Sequence, residues 1–425
     1  MVLSGLVAIA CVGRLSWTEA ANEQRAERKG PLAELPSAPG PHIEKIKALG
    51  DNEWLNLGSP SPDPKCGRAT GRSWGAKMPY AANLGGAFLM GLGPHGYVKA
   101  NGYTDEDLWF LDLNAFRWIC LWPGLNTKTF SQQAQQGEFK LNSEGQFVDS
   151  QERLIPAESI GHAWGNVTYD PDQRRFAWNA RWTCSRYMVP PALDEGLKIC
   201  QNLGANSKLS SPWFYDVATG LFDRYLVSSL PAIVNDEQPA SQFLYIQSRK
   251  QYLLIGRAGV AYFDPARRVW ANVSAKGPSI VGMDHAACYD PKRDRVYLGG
   301  GVYTYDAVKT PGDNFYIFDV KAATLSKPYP SGAFPQIFHS NSAFLNCDAV
   351  NDVAVVVVAA DKRVYAYHPD TNAWTSPPLA SSTPSGGYSY GNGFYSPELN
   401  AFLFHFAGDG LDNGIVWAYR YKKAK

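Results

Sequence analysis

The chain lacks an excess of either charge. Its 40 Lys and Arg stand against 39 Asp and Glu over 425 residues, a formal net charge of +1. Nucleic-acid binders usually carry a clear basic surplus, so that class is set aside. Long apolar runs are missing as well, and the stretch Val2 to Gly13 is too short to span a bilayer. No CxxC occurs among the 7 cysteines, which removes zinc-knuckle and thioredoxin-like readings. No glycine-rich loop precedes a helical pattern, so a phosphate cradle is absent. Hydrophobic residues, by contrast, make up 45% against 19% charged, enough for a large core. Aromatics at 13%, with 39 Gly and 29 Pro, point to many short strands joined by tight turns.

The apolar run Val2 to Gly13 is followed by Arg14 and polar sequence, and Thr18-Glu19-Ala20 forms a tolerable cleavage site. Residues 1–20 therefore read as a signal peptide, and the expected location is secreted or periplasmic. Lipid anchoring through Cys11 is the alternative, although Ala8-Ile9-Ala10 matches that pattern poorly. Residues 21–50, rich in Pro and charge, read as a linker that ends in a helical turn over Ile43 to Leu49. Removing Cys11 leaves an even number of cysteines. Cys184 and Cys200 are close in a loop-like segment and form the best candidate disulfide, whereas Cys288 and Cys347 sit in strand patterns as buried thiols.

One pattern recurs five times: an aromatic pair, a polar residue, then a large side chain six positions on. The copies end at Trp118, Phe222, Trp270, Leu325 and Trp374. Each is a strand, a type I-like turn and a second strand, which is a β-hairpin. Upstream of each lies another paired-strand pattern, as in VTYDPDQRRFAWN, LYIQSRKQYLLIG and CYDPKRDRVYLGGG, with NLGGAFLMG as a degenerate first copy. A sixth second hairpin begins at IVWAYRY but has no outer strand before Lys425. DNEWLNLGS, with Trp54, is unpaired upstream and can supply it. The fold class expected over residues 51–425 is all-β, a six-bladed β-propeller closed by an N-terminal strand, with seven blades as the alternative.

Glycines after the second strand (Gly256, Gly299, Gly300, Gly301), then an aromatic strand, then the spaced Trp make the chain resemble the kelch family. The double glycine is intact only around Gly299 to Gly301, and Phe222 and Leu325 replace the Trp in two copies. The resemblance implies a kelch-like propeller and is silent on function, because such rings host oxidases, lyases, epimerases and binding modules.

In a propeller, the loop leading into the first strand and the loop after the second strand share one face. Two insertions, Pro123 to Ser159 and Thr183 to Ser211, emanate from that side. Aligning the hairpins by their turns brings His162, His95, Arg181 and Arg257 there, with Arg72 overhanging them. A lyase acting on uronates must neutralise a carboxylate, take the proton beside it and protonate the leaving oxygen. The chain is loosely similar to propeller-type polysaccharide lyases, ulvan lyases included, which use His, Tyr and Arg on this face. That resemblance implies His162 or His95 as acid or base, Tyr187 or Tyr245 as the phenolic partner, and Arg257 with Arg181 on the carboxylate. Substrate contacts are expected from Arg72, Trp74, Tyr97, Trp182, His339, Tyr388 and Tyr390.

Other chemistries fit less well. A copper radical oxidase needs paired Tyr and His with a cross-linking Cys, and only Tyr388 and Tyr390 near His339 resemble that set. No motif requires a cofactor. A divalent metal at His95 and His162 stays open without HxH or HxxxH spacing behind it. Non-catalytic binding of a carbohydrate or protein is the main alternative. The expected partner is a polysaccharide or another extracellular ligand, taken up by a monomer with no membrane span and no nucleic acid.

Overall fold

The computed structural model describes residues 29–69, 77–90, 107–124, 126, 132–133, 136–144, 146–156, 165–179, 211–235, 241–282, 285–300, 315–335, 343–358, 363–381, 384, 391–406 and 414–424. Six antiparallel sheets follow one another along the chain. Blade 1 comprises Tyr80–Ala81, Gly86–Met90, Leu108–Asp112 and Arg117–Trp122, and blade 2 Val167–Asp170, Arg175–Trp178, Trp213–Asp216 and Leu221–Asp223. Blade 3 is Ser241–Ile246, Gln251–Gly256, Gly259–Asp264 and Val269–Asn272, and blade 4 His285–Asp290, Arg295–Gly300, Phe315–Asp319 and Thr324–Ser326. Blade 5 is Ala343–Asp348, Val353–Val358, Arg363–His368 and Ala373–Thr375, with Ser331–Gly332 added in parallel at its outer edge. Blade 6 is Gly391–Ser396, Ala401–Phe406 and Ile415–Arg420, completed by Glu53–Gly58 from the N-terminal side. Innermost strands of successive blades touch from blade 2 through blade 6, and blade 6 touches blade 1. The ring is a six-bladed β-propeller, which settles the blade number.

The residue that defines the sequence repeat has one job. In each blade it packs on the blade before it. Trp118 makes an edge contact with His405 of blade 6, Trp270 shares a buried cluster with Phe214 of blade 2, and Leu325 one with Leu244 of blade 3. Trp374 makes an edge contact with Phe315 of blade 4, and Phe222 with Trp122 of blade 1. Trp54, on the closing strand, packs into the blade 5–blade 6 cluster in the same way. A large side chain at this position seals an interblade seam, and burial of each contributes about 2–3 kcal/mol. Leu325 and Phe222 do the same work with smaller surfaces.

The turns repeat for a second reason. Asp170, Asp216, Asp264, Asp290 and Asp348 each end a strand and accept backbone N–H groups two and three residues on. A carboxylate in that role organises the turn as an Asx motif. The last turn residue then takes a left-handed conformation, as at Arg174, Arg268, Asp294 and Asp352.

The described part of the expected linker lies against the ring. Leu32 is buried in the blade 1–blade 2 core, and the helix Pro41–Ala48 buries Ile43 and Ile46 against blades 1 and 6. Arg420, 4% exposed, holds that helix by its C-terminus. Its guanidinium donates to the carbonyls of Ile46 (3.0 Å), Lys47 (2.8 Å) and Leu49 (2.5 Å), and to those of Leu399 (2.9 Å) and Asn400 (3.1 Å). All five N–H donors are used, and the helix C-terminus supplies partial negative charge in place of a carboxylate.

Candidate functional site at the channel mouth

The first strand of each blade lines the axis, and its free edge must find partners there or in water. In blade 3 those partners are specific. The Phe243 N–H donates to the Gly165 carbonyl of the segment leading into blade 2 (2.9 Å). The Phe243 carbonyl accepts from Lys77 Nζ at 2.8 Å. Lys77 itself runs beside Gly393 of blade 6, so its side chain reaches across the axis from the blade 1–blade 6 side to blade 3. Surrounded by protein yet partly accessible, its amine is pushed down to about 7 by desolvation, with a smaller opposing influence from Cys288. Near neutral pH it therefore gains a full charge as the medium turns acidic.

Beside Phe243 a buried polar network stands behind the mouth. Gln242, 1% exposed, donates through Nε2 to the carbonyls of His285 (2.5 Å) and Ser241 (3.2 Å). Ser241 Oγ donates to Asn166 Oδ1 at 3.2 Å, linking blades 2 and 3. A Cβ at Gly165 would stand 1.7 Å from Gln242 Oε1, so a side chain there would displace the Gln242 amide from its bonds. His285 begins the first strand of blade 4 and is fully buried. Its Nε2 lies 3.0 Å from the Val281 carbonyl, which can only accept, so Nε2 carries the proton. Nδ1 has no hydrogen-bond partner among the described residues. Burial pushes the imidazole down to about 4, the Val281 contact opposes this, and the Arg257 charge adds a further depression. His285 is neutral at physiological pH, in line with the core role its strand position implies.

Arg257 stands at the two-residue turn between the second and third strands of blade 3. It is exposed, and its charge reaches His285 of the neighbouring blade. The turn is at the same end of the blade as Ser241, since Ser241 pairs with Gly256. Tyr245 is at the other end. It pairs with Tyr252, about 13 Å along the strand from the mouth. Its hydroxyl donates to Asp172 Oδ2 at 2.6 Å in the blade 2 turn, and burial with that carboxylate pushes the phenol up. The structure thus does not bring Tyr245 and Arg257 together.

His162, His95, Tyr187, Arg181, Arg72, Trp74, Tyr97, Trp182, His339, Tyr388 and Tyr390 lie outside the described residues, as do Cys184, Cys200 and the expected signal peptide. Among the described residues no group of three metal-ligating side chains gathers, and no helix is long and apolar enough to cross a membrane. The described cysteines Cys66, Cys120, Cys288 and Cys347 are thiols. Sequence reasoning missed Lys77, Gln242 and Asn166. Lys77 precedes the degenerate first copy of the repeat, and its only signal is a lone cation within the stretch GAKMPY, Gly75 to Tyr80.

No family profile matches the chain, and no curated protein sequence matches it. Two solved structures resemble it in part. One is an auxiliary nutrient binding protein from Bacteroides thetaiotaomicron, 12% identical, covering 39% of this chain and 36% of its own, with a TM-score of 0.28. The other is TolB from Acinetobacter baumannii, 12% identical, covering 76% of this chain and 62% of its own, with a TM-score of 0.38. The chain thus spans less than two thirds of either protein's length. Likenesses this distant carry no functional argument, and the kelch resemblance rests on the sequence pattern alone.

Proposed function

We propose that this protein is an exported propeller that binds an acidic, uronate-containing polysaccharide at the channel mouth, with Arg257 gripping a sugar carboxylate. One juxtaposition supports the reading: the exposed Arg257 guanidinium stands at the same end of blade 3 as the polar set Asn166, Ser241 and Gln242. Arginine presents a planar fork that matches a carboxylate, and the buried network of Asn166, Ser241 and Gln242 behind it holds the turn's end of the blade in place. Lys77, deeper on the axis, adds attraction for an anion.

The sharper form of the proposal is β-elimination. Arg257 would neutralise the carboxylate, a base would take the proton beside it, and an acid would protonate the departing oxygen. His162, His95 and Tyr187 are the groups for these two proton transfers. Non-catalytic binding is the second reading, and the engagement of Tyr245 with Asp172 favours it.

The test is calorimetric titration of the full chain with ulvan, alginate, pectin, heparan and glucuronan, with parallel absorbance in the unsaturated-uronate band. Loss of one charge-assisted contact in Arg257→Ala should weaken binding by about 10-fold or more, since each 1.4 kcal/mol is a factor of ten. A rise in absorbance that is lost in His162→Ala adds the lyase reaction. Equal binding by Arg257→Ala and the parent would overturn the site.

A further inference from the structure

The seam between blades 4 and 5 carries two thiols face to face. Cys288 lies on the innermost strand of blade 4 and Cys347 on that of blade 5, with their Sγ atoms 2.7 Å apart. A disulfide needs about 2.05 Å between sulfurs, so side-chain adjustment of less than about 1 Å separates the pair from a bond. The two strands are fixed on their outer sides by full ladders, in which Cys288 opposes Tyr297 and Cys347 opposes Ala354. They are also direct neighbours across the seam. Cys288 is 4% exposed and Cys347 half-buried, so the pair is more open on the Cys347 side, although burial pushes the Cys347 thiol up and makes its exchange slow. The same seam is already clamped at its turn end, where Arg293 of blade 4 bonds to Asp352 and to Asp370 (2.7 Å) of blade 5.

We propose that Cys288 and Cys347 are a disulfide-forming site that locks blade 4 to blade 5 when the protein meets an oxidised thiol compound. The Cys347 thiol exchanges with a small disulfide, forming a mixed disulfide and releasing one thiol. Cys288 then attacks Cys347 Sγ, the protein disulfide forms, and the second thiol leaves. The protein loses two hydrogens and two electrons, and the small disulfide gains both. Closure adds a covalent tie close to the turn end already held by the ion pairs, and it joins strands whose cysteines are 59 residues apart in sequence.

The experiment uses the full chain, reduced and then exposed to oxidised glutathione, with remaining thiols blocked by N-ethylmaleimide before digestion. The expected product is a linked peptide pair containing Cys288 and Cys347, two hydrogens lighter than the separate peptides. The oxidised protein should also melt higher than the reduced one, and Cys288→Ser with Cys347→Ser should abolish that difference. Recovery of both cysteines as maleimide adducts after oxidation overturns the proposal, as does their linkage to other cysteines instead. Peptide mapping needs only the parent protein, so a variant that fails to fold leaves the test intact.

Discussion

Replacing Arg420 by Met should cost the fold far more than a surface change. The side chain is 4% exposed and its five donors meet five backbone carbonyls, three of them at the end of the helix Pro41–Ala48. Methionine keeps the length and apolar volume of the stem but takes the guanidinium from all five carbonyls, of which Ile46 keeps the Leu49 N–H. Each net bond from a charged donor is worth about 1.5–3 kcal/mol, yet such bonds are not additive. Breaking a buried charged network by removing one partner costs about 3–5 kcal/mol. With an unfolding entropy near 2.1 cal/mol/K per residue over roughly 375 folded residues, that corresponds to a drop of about 4–6 °C in Tm. Circular dichroism melts of the parent, Arg420→Met and Arg420→Lys measure it. Lysine has three donors for five acceptors and should fall between the other two. A shift below about 1 °C for Arg420→Met would refute the view that this guanidinium fastens the helix to the ring.

The Asp352 carboxyl is held down to about 2 by Arg293, with help from Lys292, against an ordinary value of 3.8. A carboxyl with a lowered folded value adds stability above pH about 4 and loses it as pH falls towards about 2. Partial exposure discounts the effect, so Asp352→Asn should cost about 1–2 kcal/mol at neutral pH, and urea melts should show the difference vanishing in acid. Gly277 adopts φ +124°, and a Cβ there would stand 1.9 Å from the Leu325 carbonyl oxygen. Gly277→Ala should therefore destabilise by about 2–4 kcal/mol, read from the urea midpoint, and an unchanged midpoint would contradict the close approach.

How much of this was legible in the sequence follows from what each feature depends on. The blades were legible because their signals are local. Strand alternation, an Asp that folds the turn back, and a large residue six positions on all lie within one hairpin. Trp118, Phe222, Trp270, Leu325 and Trp374 were therefore found by spacing, including the two copies that lack Trp. Closure by the Trp54 strand was legible by elimination, since one blade lacked an outer strand and one strand lacked a blade. The site was legible only in part. Arg257 was placed at the mouth because a two-residue turn fixes it there, whereas Tyr245 was assigned to the mouth by residue type and lies at the opposite end of its strand.

Composition and periodicity by themselves determined an all-β ring of four-stranded sheets, six by count with seven as the alternative, because each blade is built from neighbours in sequence; the structure settled six. Only the tertiary structure decided what meets across the axis and across the seams. Lys77 reaches the Phe243 carbonyl over 166 residues, Cys288 faces Cys347 over 59, and Arg420 gathers carbonyls from Ile46 to Leu49 at a separation of more than 370. No local pattern encodes those pairs. They exist because ring closure brings distant strands within a few ångströms, where unpaired backbone groups and buried side chains must be satisfied by whatever the opposite blade supplies.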